Sequence, residues 1–369
     1  MQHNHAAGDE PPVTTLFIAN RAEIAERIIR TAREMGVRTA VGYSDADRTA
    51  GFAALADEAF SLDGASAAST YMNAEKLLDA ARRAEADALH PGYGFLSENP
   101  DFARATVAAG LTWIGPSAEA IEAVGDKISA RRLAAAAGVP PVPGVSQPIE
   151  TVAQVLAFAS AHGFPLVIKQ ADGGGGRGIT VIENHADVES FFATHRGHPS
   201  AFFVEKLVRG ARHVETQCAR DAYGNFAILS TRDCSVQRRN QKLIEEAPAP
   251  QLTYAQEEAL SRYSRNLFDE VSYQGLGTCE FLIAGDDVFF LEINPRLQVE
   301  HTVSEEVTGV DAVALQLEIA RSRVLPEIPA PPRAQLRVPH YLRGPARRDA
   351  PGRRGYRAAA LAHRARRAR

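Results

Sequence analysis

The chain has 369 residues, more than a single hydrophobic core usually organises and enough for two or three domains. Hydrophobic residues make up 45% and charged residues 23%, an ordinary globular balance, and no stretch approaches the ~18 uninterrupted apolar residues that a membrane helix needs. Membrane-spanning classes are thereby excluded. Residues 1–12 lack the basic start and apolar middle of a secretion signal, and Cys218, Cys234 and Cys279 share no metal-ligand spacing. A disordered leader over 1–12 and a reducing, cytoplasmic setting are the expectation.

In chain order, Thr14 to Ala19 is a short apolar run, Ala22 to Met35 is amphipathic with Ile24, Ile28 and Ile29 on one face, and Gly36 stops it. Val37 to Tyr43, Ala88 to His90 and Leu111 to Ile114 read as further strands and Ala74 to Ala86 as a helix, so residues 13–116 are expected to form a Rossmann-like, doubly wound α/β domain. The segment from His90 to Asn99 is too rich in glycine and proline for regular structure and reads as a ligand-facing loop.

Two helices, Ser117 to Val124 and Lys127 to Ala137, make residues 117–140 a connector that ends in proline-rich sequence. A helix (Val152 to His162), a strand (Pro165 to Gln170), a glycine run and a strand (Ile179 to Glu183) suggest a small α+β unit over 141–204. From Ala201 onward the pattern is strand-rich (Ala201 to Glu205, His213 to Arg220, Phe226 to Asp233, Cys279 to Ala284, Val288 to Ile293), with helices at Tyr254 to Val271 and from after Thr308 to about Ala320, and residues 205–325 are expected to form a sheet domain. Residues 326–369 form a Pro/Arg-rich tail: from Arg333 onward there are twelve arginines against Asp349 alone.

Only five basic residues are lysines, Lys76, Lys127, Lys169, Lys206 and Lys242, against 36 arginines, which marks each lysine as a place where a compact ammonium is needed. Gly173 to Gly176 follow a strand ending near Lys169 and precede another strand, not a helix, so neither a P-loop nor a dinucleotide fingerprint applies. Such a hairpin can lay backbone N–H groups over phosphates, with Lys169 as a point charge, or it can simply join two strands.

If Gly285 to Asp287 form a three-residue hairpin loop, counting outward puts Glu280 opposite Glu292 and adds Asn294 to the same face. Two carboxylates ~5 Å apart repel by about 3 kcal/mol at an effective dielectric of 20, and a hard divalent cation such as Mg²⁺ would relieve them. Arg296, Gln298 and Glu300 continue at spacing two; an arginine beside a base suits the activation of a small oxyanion, or forms a surface ion pair. The basic stretch from Asp233 to Lys242 reads as an anion pocket or as a basic surface strand.

Taken together, seven segments over roughly residues 14 to 325 resemble the biotin carboxylase component of biotin-dependent acyl-CoA carboxylases, a branch of the ATP-grasp superfamily. They are IANRAEIA (Ile18 to Ala25), HPGYGFLSEN (His90 to Asn99), GDK (Gly125 to Lys127), Lys169 with GGGGRG to Gly178, EKLVRGARHVE (Glu205 to Glu215), RDCSVQRRNQK (Arg232 to Lys242) and LEINPRLQVEH (Leu291 to His301). The resemblance implies a Rossmann-like domain followed by a two-part ATP-grasp fold, with a small lid and a larger antiparallel-sheet domain. It implies ATP contacts from Lys127, Lys169, Gly174, Gly175, Gly176, His213, Gln237, Asn240, Leu282 and Leu291, and an adenine hinge at Glu205, Lys206 and Val208. Glu280, Glu292 and Asn294 match the Mg²⁺ (or Mn²⁺) positions, and Lys242, Arg296, Gln298, Val299 and Glu300 the bicarbonate pocket, with Glu300 as base and Lys242 and Arg296 beside it.

The activity implied is ATP-driven carboxylation of biotin through carboxyphosphate, with a carboxyltransferase as partner and a homodimer as the usual assembly. Other ATP-grasp ligases, or a nucleotide-binding chain without turnover, are the alternatives. None of the methionines (Met1, Met35, Met72) precedes a lysine, so the biotin would be borne on a separate carrier chain. The tail departs from the family after Leu336, where Arg337 leads into Val338-Pro339-His340 and arginine-rich sequence; a reading-frame slip is the favoured explanation. A basic arm that binds nucleic acid and a truncation are the others.

Overall fold

The computed structural model describes residues 13–171, 178–195, 201–238 and 240–329, and the backbone of 336–339. The glycines expected to cover phosphates, Gly174 to Gly176, lie outside the described residues, as do most of the arginine-rich tail and the leader.

The first unit alternates strands and helices: β1 (Thr15–Ile18), α1 (Ala22–Glu34), β2 (Arg38–Tyr43), α2 (Gly51–Leu55), β3 (Glu58–Ser61), α3 (Ala74–Arg83), β4 (Ala88–His90), α4 (Pro100–Ala108) and β5 (Thr112–Trp113). All strand pairs are parallel, in the order β3-β2-β1-β4-β5. The order reverses between β1 and β4, and a doubly wound sheet opens a crevice at the carboxyl ends of such a strand pair. The loops there are Asn20–Arg21 and the 91–99 segment, and the Asn20 amide ties them by donating to the carbonyls of Pro91 (2.8 Å) and Tyr93 (2.9 Å). Ile24, Ile28 and Ile29 of α1 are fully or nearly fully buried, as the amphipathic spacing requires.

Helices α5 (Ala118–Gly125) and α6 (Lys127–Ala136) follow, the second capped by the Asp126 carboxylate on the N–H groups of Ile128 and Ser129. The lid holds α7 (Val152–His162), β6 (Leu166–Gln170), β7 (Ile179–Ile182), α8 (His185–Thr194) and β8 (Phe202–Lys206), as an antiparallel sheet in the order β7-β6-β8. Leu166, Ile168, Ile182 and Val204 pack one face of that sheet against Val155, Val188 and Phe191 of the two helices.

The large sheet is built from β9 (Arg212–Arg220), β10 (Phe226–Arg238), β11 (Gln241–Ala247), then, beyond α9 (Tyr254–Glu270), β12 (Gly275–Ala284) and β13 (Asp287–Asn294). After α10 (His301–Thr308) and α11 (Ala312–Ala320), residues 336–339 add β14 (Leu336–Pro339) beside β11, giving the order β13-β12-β9-β10-β11-β14. That last strand lies inside the segment expected to be a tail. In β9, Val214 and Cys218 pack into one core, while Glu215, Gln217 and Ala219 alternate with them on the opposite face.

Candidate active site

The site begins as a row across four strands. Glu292 on β13 pairs with Glu280 on β12, Glu280 with Glu215 on β9, and Glu215 with Arg232 on β10. Directly opposed residues share a face about 5 Å apart, so three carboxylates and one guanidinium stand side by side. Ser304 of α10 covers the row and accepts from Arg232 Nη1 at 2.7 Å.

The expected Glu280–Glu292 pair is present, but it is reached by a different register. The turn holds two residues, Gly285 and Asp286, with Ala284 opposite Asp287, not the three-residue loop expected, and Gly285 adopts φ 60 as the first central position of such a turn favours. Val288, Phe290 and Ile293 are all in the core, which a strict period of two forbids. A bulge between the Phe281/Phe290 and Glu280/Glu292 pairs leaves Leu291 as the extra residue and turns Glu292 back to the site.

Lys242 answers the row's negative charge. Its Nζ donates to Glu215 Oε2 (2.6 Å), Glu280 Oε1 (2.9 Å) and Glu300 Oε1 (2.6 Å). Burial alone would lower its pKa, but the three carboxylates drive it well above the usual lysine range. Burial pushes Glu280 up, and Lys242 with His213 more than reverses this, holding it well below the usual range. Glu300 has the same opposition, between burial and the charges of Lys242 and Arg232, and is lowered to about 2. His213 Nε2 lies 2.6 Å from Glu280 Oε2 and its Nδ1 lies 2.8 Å from Gln237 Nε2; its pKa is raised because Glu280 outweighs the burial that lowers it.

The anion pocket forms in the loop after β13. Asn294 Nδ2 (2.9 Å) and Gln298 Nε2 (3.1 Å) both donate to Glu280 Oε1. Glu300 occupies the position just before α10, and its carboxylate makes no capping hydrogen bond to that helix. Arg296 donates from Nε to Glu98 Oε1 (2.6 Å), from Nη2 to Asn294 Oδ1 (3.2 Å) and from Nη1 to the Leu297 carbonyl (3.3 Å). Burial lowers the Arg296 pKa, and Glu98 and then Glu300 raise it more.

A second cluster lies at the lid. The buried Glu205 carboxylate pairs with Arg131 and with Lys169, and Gly144 passes so close that a Cβ there would stand 2.7 Å from the Val204 carbonyl and 2.8 Å from Glu205 Cγ. Lys127 Nζ is 3.6 Å from Glu292 Oε2, which joins this end to the carboxylate row. Together they line up a lysine-rich end, an acidic row and an arginine-bearing pocket, an arrangement suited to holding a polyphosphate next to a small oxyanion.

The family described as "Biotin carboxylase, N-terminal domain" matches residues 12–121, and "Carbamoyl-phosphate synthase L chain, ATP binding domain" matches residues 126–328. Biotin carboxylase of Halalkalibacterium halodurans is 42% identical over 318 residues, covering 84% of this chain and 70% of that protein. The chain belongs to the biotin carboxylase family. Biotin-dependent acyl-coenzyme A carboxylase alpha3 subunit of Mycobacterium leprae is 45% identical over 86% of this chain, and the chain spans 54% of that subunit's length. Among solved structures, a biotin carboxylase–β,γ-ATP complex from Campylobacter jejuni aligns with a TM-score of 0.82 at 38% identity, covering 86% of this chain and 73% of that one. The biotin carboxylase domain dimer of Hydrogenobacter thermophilus 2-oxoglutarate carboxylase, in complex with MgADP, ADP and bicarbonate, aligns with a TM-score of 0.81 at 38% identity, over 85% of this chain and 71% of that one.

Within this biotin carboxylase fold, Lys242, Glu280, Asn294, Gln298 and Glu300 meet at one point, with His213 and Gln237 adjoining. Leu282 pairs with His213 across β12 and β9, and Leu282, Leu291, Val208 and Val299 are half-buried. Lys206 turns its ammonium onto the carbonyls of Gly163 and Phe164 after α7. Asn240 sits in the β10–β11 turn at φ 61, a conformation asparagine tolerates better than most residues.

Glu215, Arg232, Arg131 and Glu98 were not among the expected site residues. Glu215 was legible in principle, being two positions after His213 on a strand. Glu98 reaches Arg296 across 198 residues, and no local pattern announces that.

Proposed function

We propose that the chain carries out the biotin carboxylase half-reaction, ATP-dependent carboxylation of biotin with bicarbonate as the carbon source, for a biotin-dependent carboxylase. The observation that carries this reading is Lys242, whose single ammonium bridges Glu280, at the carboxylate row, and Glu300, at the anion pocket. One cation thus connects a place for phosphate-bound metal with a place for a proton acceptor.

Glu280 and Glu292, paired across β12 and β13, would offer hard carboxylate oxygens to Mg²⁺, the Asn294 amide oxygen would join them on releasing Arg296, and nucleotide phosphates would complete the shell. Bound there, Mg²⁺ would neutralise charge on the transferring phosphoryl group. Lys127 and Lys169 would add positive charge along the phosphates, and the glycine run Gly174 to Gly176 would cover them. Glu205, the Lys206 backbone and Val208 would border the base, with Leu282 and Leu291 beneath it and His213, Gln237 and Asn240 towards the ribose.

Arg296, Gln298 and Val299 would hold bicarbonate, and Glu300 would take its proton. A carboxylate held at about 2 is a poor acceptor near neutral pH. Lys242 must therefore transfer its short contact from Glu300 to the incoming anion, and Glu300 recovers basicity as the ammonium leaves it. The freed oxygen would attack the γ-phosphorus and ADP would leave; the carboxyphosphate would then break into CO₂ and phosphate, and the biotin nitrogen, giving its proton to that phosphate, would bond to the CO₂ carbon. The biotin would arrive on a carrier on another chain, a carboxyltransferase would use the product, and the chain would act as a homodimer.

The test is ATP cleavage with and without free biotin and bicarbonate. Turnover should require both and fall at least about a hundredfold in Glu300→Gln, as loss of a general base does. Turnover indifferent to biotin, with an amine or carboxylate as acceptor, would point to another ligase and overturn the reading.

A further inference from the structure

We infer that Glu98 is a positioning residue for Arg296, through which the first domain sets the aim of the anion-binding guanidinium in the third; this rests on the biotin carboxylase reading above. Glu98 lies in the turn just before α4, at the crevice where the β1–β4 strand order reverses. The turn is braced from within: the Ser97 N–H donates to the Gly94 carbonyl (3.0 Å), the Asn99 N–H to the Leu96 carbonyl (3.1 Å), and Asn99 then caps α4. Asn20 anchors the other end of the loop through Pro91 and Tyr93. Glu98 therefore stands on a fixed base, although its own side chain is 45% exposed.

A guanidinium has five N–H donors. In Arg296, Nε serves Glu98, one Nη1 hydrogen serves the Leu297 carbonyl and one Nη2 hydrogen serves Asn294 Oδ1. Among the described residues it has no other acceptor, which leaves two hydrogens, one on each terminal nitrogen, a number that suits two-point contact with a planar oxyanion. The Leu297 and Asn294 contacts are long and come from within two residues of Arg296, whereas the Glu98 contact is short, charge-assisted and comes from a different domain. Glu98 takes the one donor that an end-on anion does not need. It thus supports the guanidinium and does not compete with bicarbonate for it.

The two roles predict opposite signs. A competitor, once removed, lets bicarbonate bind more tightly; a support, once removed, leaves a long flexible side chain to order itself at the anion's expense. The variants are E98A, which removes the contact, and E98Q, which keeps an acceptor of the same reach without the charge. The first readout is the Arg296 Nε–H resonance in ¹⁵N-arginine-labelled chain, assigned by its loss in R296K, and it requires no catalysis. The second is the KM for bicarbonate against that for ATP in the biotin-dependent assay.

E98A should make the Arg296 Nε–H mobile and fast-exchanging, and raise the bicarbonate KM about tenfold while moving the ATP KM less than about threefold. E98Q should restore most of the order and most of the KM. An Arg296 signal as rigid in E98A as in the unaltered chain overturns the inference, as does a fall in bicarbonate KM in either variant. Turnover that is independent of bicarbonate in the unaltered chain overturns the proposed function instead, and the resonance still decides whether Glu98 positions Arg296.

Discussion

Arg232→Met removes the cation at the end of the carboxylate row with little change in length. Arg232 is completely buried, and its guanidinium donates to Glu215 Oε1 (2.5 Å), Gln217 Oε1 (2.9 Å), Ser304 Oγ (2.7 Å) and Thr278 Oγ1 (3.4 Å). Methionine satisfies none of them and leaves the equally buried Glu215, among the described residues, with Lys242 as its remaining ion-pair partner. Breaking a buried pair from one side costs about 3–5 kcal/mol, because the residual charge has lost its compensation. At roughly 2–4 °C per kcal/mol for a domain of this size, the melting transition of the sheet domain should fall by roughly 10 °C in calorimetry. The double variant Arg232→Met, Glu215→Leu removes both charges, and it should recover at least about 2 kcal/mol relative to the sum of the single changes. A single variant that loses less than about 1 kcal/mol, or strictly additive effects, would refute the claim that this pair is what makes the acidic row tolerable inside the fold.

His90 supplies a pH prediction: burial holds its pKa down at about 3, with Gln316 opposing, so it stays neutral while an unfolded histidine takes up a proton near 6.5. Its contribution is complete above pH 6.5 and is lost as pH falls toward 3, at about 1.4 kcal/mol per unit, and urea titrations of His90→Asn should lack that slope. Glu300 behaves alike in a lower window: its stabilisation is present above 4.5 and disappears as pH falls toward about 2, so the stability gap between the unaltered chain and Glu300→Gln should narrow over that range. Gly144→Ala forces a methyl to within 2.7 Å of the Val204 carbonyl and 2.8 Å of Glu205 Cγ; a loss of about 1–3 kcal/mol with weaker nucleotide binding by calorimetry is expected, and unchanged affinity would argue that Glu205 does not border the nucleotide. Glu280→Gln should raise the Mg²⁺ concentration needed for half-maximal ATP cleavage about tenfold or more, whereas an unchanged requirement would place the metal elsewhere.

Much of this site could be read in the sequence because a strand pair converts spacing into position. The Glu280–Glu292 pairing followed from counting outward from a glycine turn, yet two features cancelled: the turn is one residue shorter than expected, and the bulge at Leu291 restores the register. A pattern of alternation alone cannot locate a bulge unless the switch in core parity from Phe290 to Ile293 is noticed. Arg296, Gln298 and Glu300 showed the same spacing of two, but they form a loop and a helix start, with α10 following. Their convergence on Lys242 and Glu280 comes from tertiary folding.

Helices α4 and α8 were missed although each begins at an asparagine cap, Asn99 ahead of Pro100 and Asn184. Capping residues carry information that hydrophobic periodicity does not. Glu98 could not have been found at all, since its role exists only where the 91–99 loop meets the loop after β13.

The most direct measurement follows oxygen. With ¹⁸O-labelled bicarbonate, MgATP and free biotin, the account predicts that ¹⁸O appears in the inorganic phosphate released, seen as an isotope shift in ³¹P NMR, and that the signal vanishes in Glu300→Gln. Phosphate released at the same rate without label would contradict it, because bicarbonate would then never have bonded to the γ-phosphorus.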